Sequence, residues 1–259
     1  MTMATTVTTS RFRLVVIQAW LPILLVGVWW FASAVVQSPF FPPLSQIMTQ
    51  FVEVWLGPGF TRDIVPSMSN LFLGFAIALV LGIGIGVAIA LLPLVEIVVN
   101  PFLQFLRAMP GIALLPVILM IMGTSDASKI ALIAYGSLWP ILLNSVDGVK
   151  AIAPEVRQAA KSYRFTTPRV LFDVLLPGAF PQISVGIRLS LSIALVLMIG
   201  SEFFGATRGI GYFVLEAKQQ FHIADMWAGV ILLGIIGYLL STGYGLLENR
   251  LLRWREVSR

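Results

Sequence analysis

Cysteine is absent from the 259 residues, and histidine occurs once, at position 222. The first absence removes disulfides, thiol nucleophiles and thiolate metal ligands. The second removes a histidine-built metal centre. Charge is scarce too: only 11% of residues are Asp, Glu, Lys or Arg, against about 25% in an ordinary soluble domain. No phosphate loop ending in Gly-Lys-Ser/Thr occurs. The run Gly82-Ile83-Gly84-Ile85-Gly86 lacks that ending and lies in an apolar stretch, where close helix packing accounts for it better. No grouping of nucleophile, base and oxyanion donor is visible, so no catalytic site is expected. What is abundant is apolar surface. Hydrophobic residues make up 58% of the chain, and the mean hydropathy is +0.93. A single water-soluble core cannot bury that much, so lipid must serve as part of the solvent.

Apolar runs near the roughly 20 residues needed to cross hydrocarbon fall at 14–36, 67–93, 102–122, 130–146, 180–204 and 226–247. The expected fold is therefore all-α and polytopic, with six transmembrane helices in one domain. A short tail (1–13) precedes it and a basic tail (248–259) follows. Ala32-Ser33-Ala34 resembles a signal-peptide cleavage site, but the first run exceeds the 7–15 apolar residues of such signals, which favours a retained anchor. Leu44, Ile47, Met48, Phe51, Val52 and Trp55 repeat at helix spacing, giving a short amphipathic helix that either lies along the outer membrane face or packs on the domain. Gly74, Ala78, Gly82, Gly86 and Ala90 recur every four residues, a stripe that lets another helix approach closely. Pro110 and Pro116 lie inside the third run, so the segment from Arg107 to Gly111 is a kink or an unwound turn, either a plain bend or a wall of a solute path. Trp139-Pro140 suggests a bend in the fourth run. Gly123 to Lys129 and Gly205 to Asp225 read as polar loops.

Cations are distributed unevenly across this topology. With the N-terminus inside, eleven of the seventeen Lys and Arg residues lie on inner segments and only Arg62, Lys129, Arg208 and Lys218 on outer ones. That asymmetry matches the positive-inside rule and puts both termini in the cytoplasm. It also explains the formal charge of +5 without nucleic acid as a partner.

The stretch from Pro154 to Pro177 interrupts the apolar runs. It carries Arg157, Lys161, Arg164 and Arg169 against Glu155 and Asp173, so it is too polar to span a bilayer. Pro154 followed by Glu155 and helix formers marks a helix start, and Pro168 a break. The simplest account is a short helix, a turn and a second short helix, together forming a docking surface. Gln158-Ala159-Ala160, three residues, Arg164, nine residues and Val174-Leu175-Leu176-Pro177 resemble the cytoplasmic loop of importer-type ABC permeases. That loop reads Glu-Ala-Ala, three residues, Gly, nine residues and a similar proline ending. Segment 106–117 is similar to the family's third-span entry, and segments 176–188, 201–206, 209–212 and 251–254 are similar to the branch that handles nitrate, sulfonates, taurine or bicarbonate.

The resemblance implies a permease subunit of the bacterial plasma membrane. It implies alternating access driven by a separate cytoplasmic ATPase dimer that holds ATP and Mg. An external binding protein would deliver the solute, and a second permease subunit, a homodimer, would complete the path. No cofactor is expected on this chain. The coupling residues would be Glu155, Gln158, Ala159, Ala160, Lys161, Tyr163, Arg164, Leu176 and Pro177, with the two alanines small enough for close approach to the ATPase. Two residues depart from the pattern. Gln158 replaces a carboxylate and weakens a charge-assisted contact. Arg164 replaces a glycine and resists the left-handed turn that glycine permits.

Arg107, Pro110, Arg188 and Glu202 are the candidates for the translocation path. Arg188 either snorkels or pairs near the inner face, which its position favours, or meets an anion in the path. Glu202 either guards an outer gate or caps structure. Two alternative functions remain. An ion-coupled secondary transporter would need acidic or histidine relays at mid-membrane, which are not evident. A non-transporting membrane scaffold would assemble with partners and move nothing.

Overall fold

The computed structural model describes residues 11–35 and 38–253. The first ten residues of the expected N-terminal tail and 254–259 of the basic C-terminal tail lie outside that range. Among the described residues every regular element is helical. Helix α1 is Arg11–Val35 and α2 is Leu44–Trp55. A π-helical turn, Phe60–Ile64, leads into α3, Val65–Leu91. Next come α4 (Pro93–Ala108), a 3-10 turn (Gly111–Leu114) and α5 (Leu115–Met122). Helix α6 is Asp126–Lys150, α7 is Pro154–Ser162, and α8 is the single turn Thr167–Arg169. A second π-helical turn, Val170–Leu175, runs into α9, Leu176–Glu202. The chain continues through α10 (Ile210–Gln219) and α11 (Ile223–Leu251).

Four helical stretches are long and apolar enough to cross a membrane: Phe60–Leu91, Asp126–Lys150, Thr167–Glu202 and Ile223–Leu251. The pair α4 and α5, bent by 84°, makes a fifth when counted as one broken span. Within α1 the apolar segment Ile23–Ser33 is shorter.

Helix α6 is the axis of the fold, with α3 on one side and α9 on the other. The small-residue stripe brings α3 in. A Cβ on Gly86 would stand 2.6 Å from the Leu142 carbonyl oxygen and 2.7 Å from Ser145 Cβ, so only glycine allows this approach. Gly82 faces Ile141 in the same way, and Ala78, one turn before it, is fully buried. One apolar cluster, including Val87, Leu142, Val149 and Ile183, fills the Lys150 end of these three helices. Leu71, Ile133, Ala194 and Met198 fill the opposite end. The side chains left on the outside are also apolar, among them Val80, Leu94, Ile97, Val98 and Val196. That is the surface expected where lipid replaces water.

Several expected boundaries move. The third span does not start at Phe102. Proline is well placed in the first turn of a helix, and Pro93 opens α4 there, so the preceding span stops at Leu91. The break then falls at Met109-Pro110, both in extended backbone. Helix α6 begins at Asp126, so the loop before it shrinks to Gly123–Ser125, and the helix runs through Pro140 without ending. The loop from Gly205 to Asp225 contains α10. The second short helix after Pro168 is not separate, because the π-helical turn merges it into the 36-residue stretch that ends at Glu202. Helix α2 packs on the domain, with Ile47 and Trp55 buried and the Trp55 indole N–H donating to the Ala228 carbonyl at 3.2 Å.

Candidate functional site

Helix α7 stands at the Lys150 end of the bundle. Glu155, Gln158, Ala159, Tyr163 and Arg164 are exposed, and Tyr163 retains 78% of its accessible surface. Ala160 points the other way and is only 5% exposed. The two alanines therefore differ: Ala159 lies on the free face, whereas Ala160 is the contact by which the helix sits on its own chain. The side chain of Lys161 is outside the described set. Leu176 is half-buried and Pro177 exposed at the start of α9.

The turn after α7 resolves the Arg164 departure. Arg164 adopts φ +51°, the left-handed conformation a glycine would supply. The Phe165 N–H donates to the Ala160 carbonyl at 3.1 Å, which closes a Schellman cap around it. The turn is kept, and arginine bears a steric cost of roughly 1–2 kcal/mol. Beyond it, the Arg169 guanidinium lies 4.7 Å from the Phe165 ring centroid and pairs with Asp173 at 3.3 Å.

Two cation contacts tie this end together. Arg157 of α7 donates to the Val149 carbonyl in the last turn of α6, where a cation complements the helix dipole. Lys150, the next residue of α6, pairs with Glu96 in the first turn of α4. Arg157 thus joins α7 to α6, and Lys150 joins α6 to α4. The sequence reading named Arg157 only as one charge among several. Its partner is a backbone carbonyl eight residues earlier, which no side-chain motif reveals.

The break between α4 and α5 opens a cavity of about 480 Å³ against the middle of α6. Arg107 and Pro110, both expected on the path, line it with Tyr135, Trp139 and Asn144. The apolar wall includes Leu143, Leu189 and Ile193. Several polar groups here are already engaged. The Tyr135 hydroxyl donates to the Leu106 carbonyl at 2.7 Å and so caps the end of α4. Asn144 donates to the Pro140 carbonyl at 2.8 Å and accepts from Gln182 at 2.8 Å. Pro140 has no N–H, so the Gly136 carbonyl one turn earlier loses its helical donor. Arg107 has no ion-pair or hydrogen-bond partner among the described residues, and the Trp139 indole N–H, turned toward Tyr135, makes no well-formed hydrogen bond.

Arg188 and Glu202 do not line this cavity. Arg188 pairs with Glu248 of α11, whose carboxylate also accepts from Ser184 Oγ at 2.7 Å. This is the pairing alternative, with the partner on a neighbouring helix. Glu202 is 1% exposed. It accepts the Ser67 hydroxyl at 2.6 Å and the Gly211 N–H at 2.7 Å. Ser67 Oγ in turn accepts the Ile210 N–H, and Asp63 the Gly209 N–H, both at 2.9 Å. Two carboxylates and a hydroxyl thus take the orphan N–H groups that open α10. Gly209 at φ +122° lets the backbone approach, since a Cβ there would lie 2.5 Å from the Glu202 carboxyl carbon.

This arrangement, with a broken span beside a bundle and an exposed helix beneath it, can be set against known proteins. The family described as the binding-protein-dependent transport system inner membrane component matches residues 78–254. The chain belongs to that family. Curated relatives cover most of its length. The putative aliphatic sulfonates transport permease protein SsuC of Bacillus subtilis is 31% identical over 91% of this chain and 86% of its own. SsuC of Escherichia coli is 33% identical over 92% and 91%. The taurine transport system permease protein TauC of Escherichia coli is 30% identical over 89% and 86%. Among solved structures, the inward-facing MetNI methionine ABC transporter superposes with a TM-score of 0.66 at 19% identity, over 74% of this chain and 95% of that one. At that identity the likeness shows the fold alone.

As a permease of this family the chain is the non-catalytic, multi-pass transmembrane subunit of a binding-protein-dependent ABC importer, working with an ATPase and a binding protein. Tyr135, Trp139 and Asn144 of its cavity were missed in the sequence. Tyr135 and Trp139, four residues apart, share a face of α6, but Asn144 does not follow from helix spacing, and nothing in a single chain says that a broken helix stands opposite.

Proposed function

We propose that this permease imports a small sulfonate or related oxyanion, released to it by an external binding protein. Two copies of the chain form the path, and a cytoplasmic ATPase dimer carrying ATP and Mg drives it. The observation that carries the coupling is the two-faced α7. Ala160 and Arg157 hold the helix to the bundle, while Glu155, Gln158, Ala159 and Tyr163 remain free for the ATPase. Gln158 meets that partner as a neutral hydrogen-bonding group. Closure of the ATPase dimer moves α7, Arg157 pulls on the end of α6, and the broken span beside α6 rearranges between inward and outward access. The distribution of cations supports cytoplasmic termini. The sulfonate and taurine relatives support the solute class.

The test is reconstitution in liposomes with the ATPase and binding protein encoded beside it. Uptake of taurine or ethanesulfonate should require ATP, the ATPase and the binding protein together. Uptake by the chain alone, driven by an ion gradient, would replace this reading with a secondary transporter. ATP hydrolysis by the full complex without movement of taurine, ethanesulfonate, nitrate or bicarbonate would leave only a scaffold.

A further inference from the structure

We infer that the cavity at the α4–α5 break is a binding site for an organic anion with an apolar portion, held by Arg107 and Trp139. The inference rests on the importer reading and names the part of the chain that the solute touches. Three observations carry it.

The first is charge. Arg107 is the one ionisable cation on the cavity wall, and no carboxylate lines it. Its guanidinium has no counter-ion among the described residues, as is also true of Arg62, Arg164, Lys218, Arg250 and Arg253, but of these only Arg107 stands on this cavity wall. A planar, permanently charged fork on the cavity wall without an internal partner suits an oxyanion that arrives and leaves.

The second is the state of the other side-chain donors. The Trp139 indole packs edge-on against the Tyr135 ring at 5.5 Å, with its N–H turned toward the Tyr135 hydroxyl but in no well-formed hydrogen bond, so an incoming acceptor can take it. The Tyr135 hydroxyl is committed to Leu106, and Asn144 to Pro140. Among the side chains, those left available thus offer hydrogens, which is what an anion accepts, and the Gly136 carbonyl beside them can accept from a hydroxyl or ammonium group on the same ligand.

The third is size. The cavity measures about 480 Å³, within the usual range for small-molecule sites, about 300–1,000 Å³. A bare inorganic oxyanion would leave Leu143, Leu189 and Ile193 uncovered. A sulfonate with a short carbon chain would place its head on Arg107 and its tail on those side chains. The site therefore favours alkanesulfonates over nitrate or bicarbonate.

The absence of cysteine allows a direct test on the full chain in lipid nanodiscs. Leu189→Cys puts a single thiol on the cavity wall at a side chain that is 53% exposed. Ile193→Cys one turn away serves if the first variant does not fold. Each is labelled with two methanethiosulfonate reagents of similar size, one ending in ethylsulfonate and one in ethyltrimethylammonium. Rates are normalised to those with free 2-mercaptoethanol. The expected result is a preference of about tenfold or more for the anionic reagent, as a nearby unscreened charge produces. It should be lost in Arg107→Gln and retained in Arg107→Lys. Butanesulfonate should slow the anionic labelling more than nitrate does at equal ionic strength, and Trp139→Phe should weaken that protection. Absence of labelling at both positions, or a preference that survives Arg107→Gln, would overturn the inference. So would equal protection by nitrate and butanesulfonate. These readouts need no ATPase, so a failed importer reading and a failed site are told apart. In the first case reconstituted wild type transports nothing although the labelling preference stands. In the second it transports, and Arg107→Gln transports equally well.

Discussion

Ala159 and Ala160 are chemically identical neighbours, yet the same substitution at each should fail in different ways. Ala159→Arg adds a side chain to the solvent face of α7. Arginine is nearly as good a helix former as alanine, and exposed substitutions of this kind usually change stability by less than about 0.5 kcal/mol. The isolated chain should therefore unfold within about 2 °C of wild type. Its complex with the ATPase should weaken sharply, because a bulky cation now stands where close approach is required. Ala160→Arg meets the chain itself. At 5% exposure the site has no room for the added atoms, and overpacking alone costs about 1–3 kcal/mol. For a chain of this size that corresponds to about 2–12 °C in Tm. The Phe165 N–H bond to the Ala160 carbonyl, and with it the Arg164 turn, would be disturbed as well. Two assays separate the cases: thermal unfolding of the purified chain in detergent, and retention of the ATPase during co-purification. The reasoning is refuted if Ala159→Arg unfolds as early as Ala160→Arg. It is refuted equally if Ala159→Arg retains the ATPase and supports full uptake.

Gly84 and Gly86 lie two residues apart in α3 and should respond with opposite signs. Gly86→Ala puts a Cβ 2.6 Å from the Leu142 carbonyl and should lower Tm by several degrees, whereas Gly84→Ala meets nothing within 4 Å and should hold or raise it, alanine being favoured over glycine by about 0.5–1 kcal/mol in a helix interior; equal shifts in differential scanning fluorimetry would contradict the packing. Arg164→Gly should leave ATPase retention intact and gain up to about 1 kcal/mol in Tm measurements, because it relieves a left-handed arginine. Arg164→Pro, locked near φ −65°, should abolish retention, and a proline variant that still binds the ATPase would show that the turn is dispensable.

Most of the architecture was legible in one dimension because a bilayer imposes a one-dimensional code. Composition alone required lipid as solvent, and apolar run length located four of the six expected spans outright, the third emerging as a bent pair and the first as a shorter apolar segment. The four-residue stripe in α3 identified a close helix contact before any partner was known. The spacing from Gln158 to Pro177 carried the resemblance to the family's cytoplasmic loop, and an exposed helix, a left-handed turn and the start of α9 stand there. What remained hidden depends on contacts between residues far apart in the chain. Ser67 meets Glu202 across 135 residues and Trp55 meets Ala228 across 173, and no local pattern encodes either. The same limit applies at the two functional features. Ala159 and Ala160 are indistinguishable as letters, and only the seat of α7 against its own bundle decides which of them faces outward. Arg107 and Pro110 marked a break, but the 84° angle of that break and the face of α6 opposite it decide that the gap is a cavity. Helix propensity and hydropathy act over a few residues, whereas a cavity is made by three helices brought together by tertiary packing.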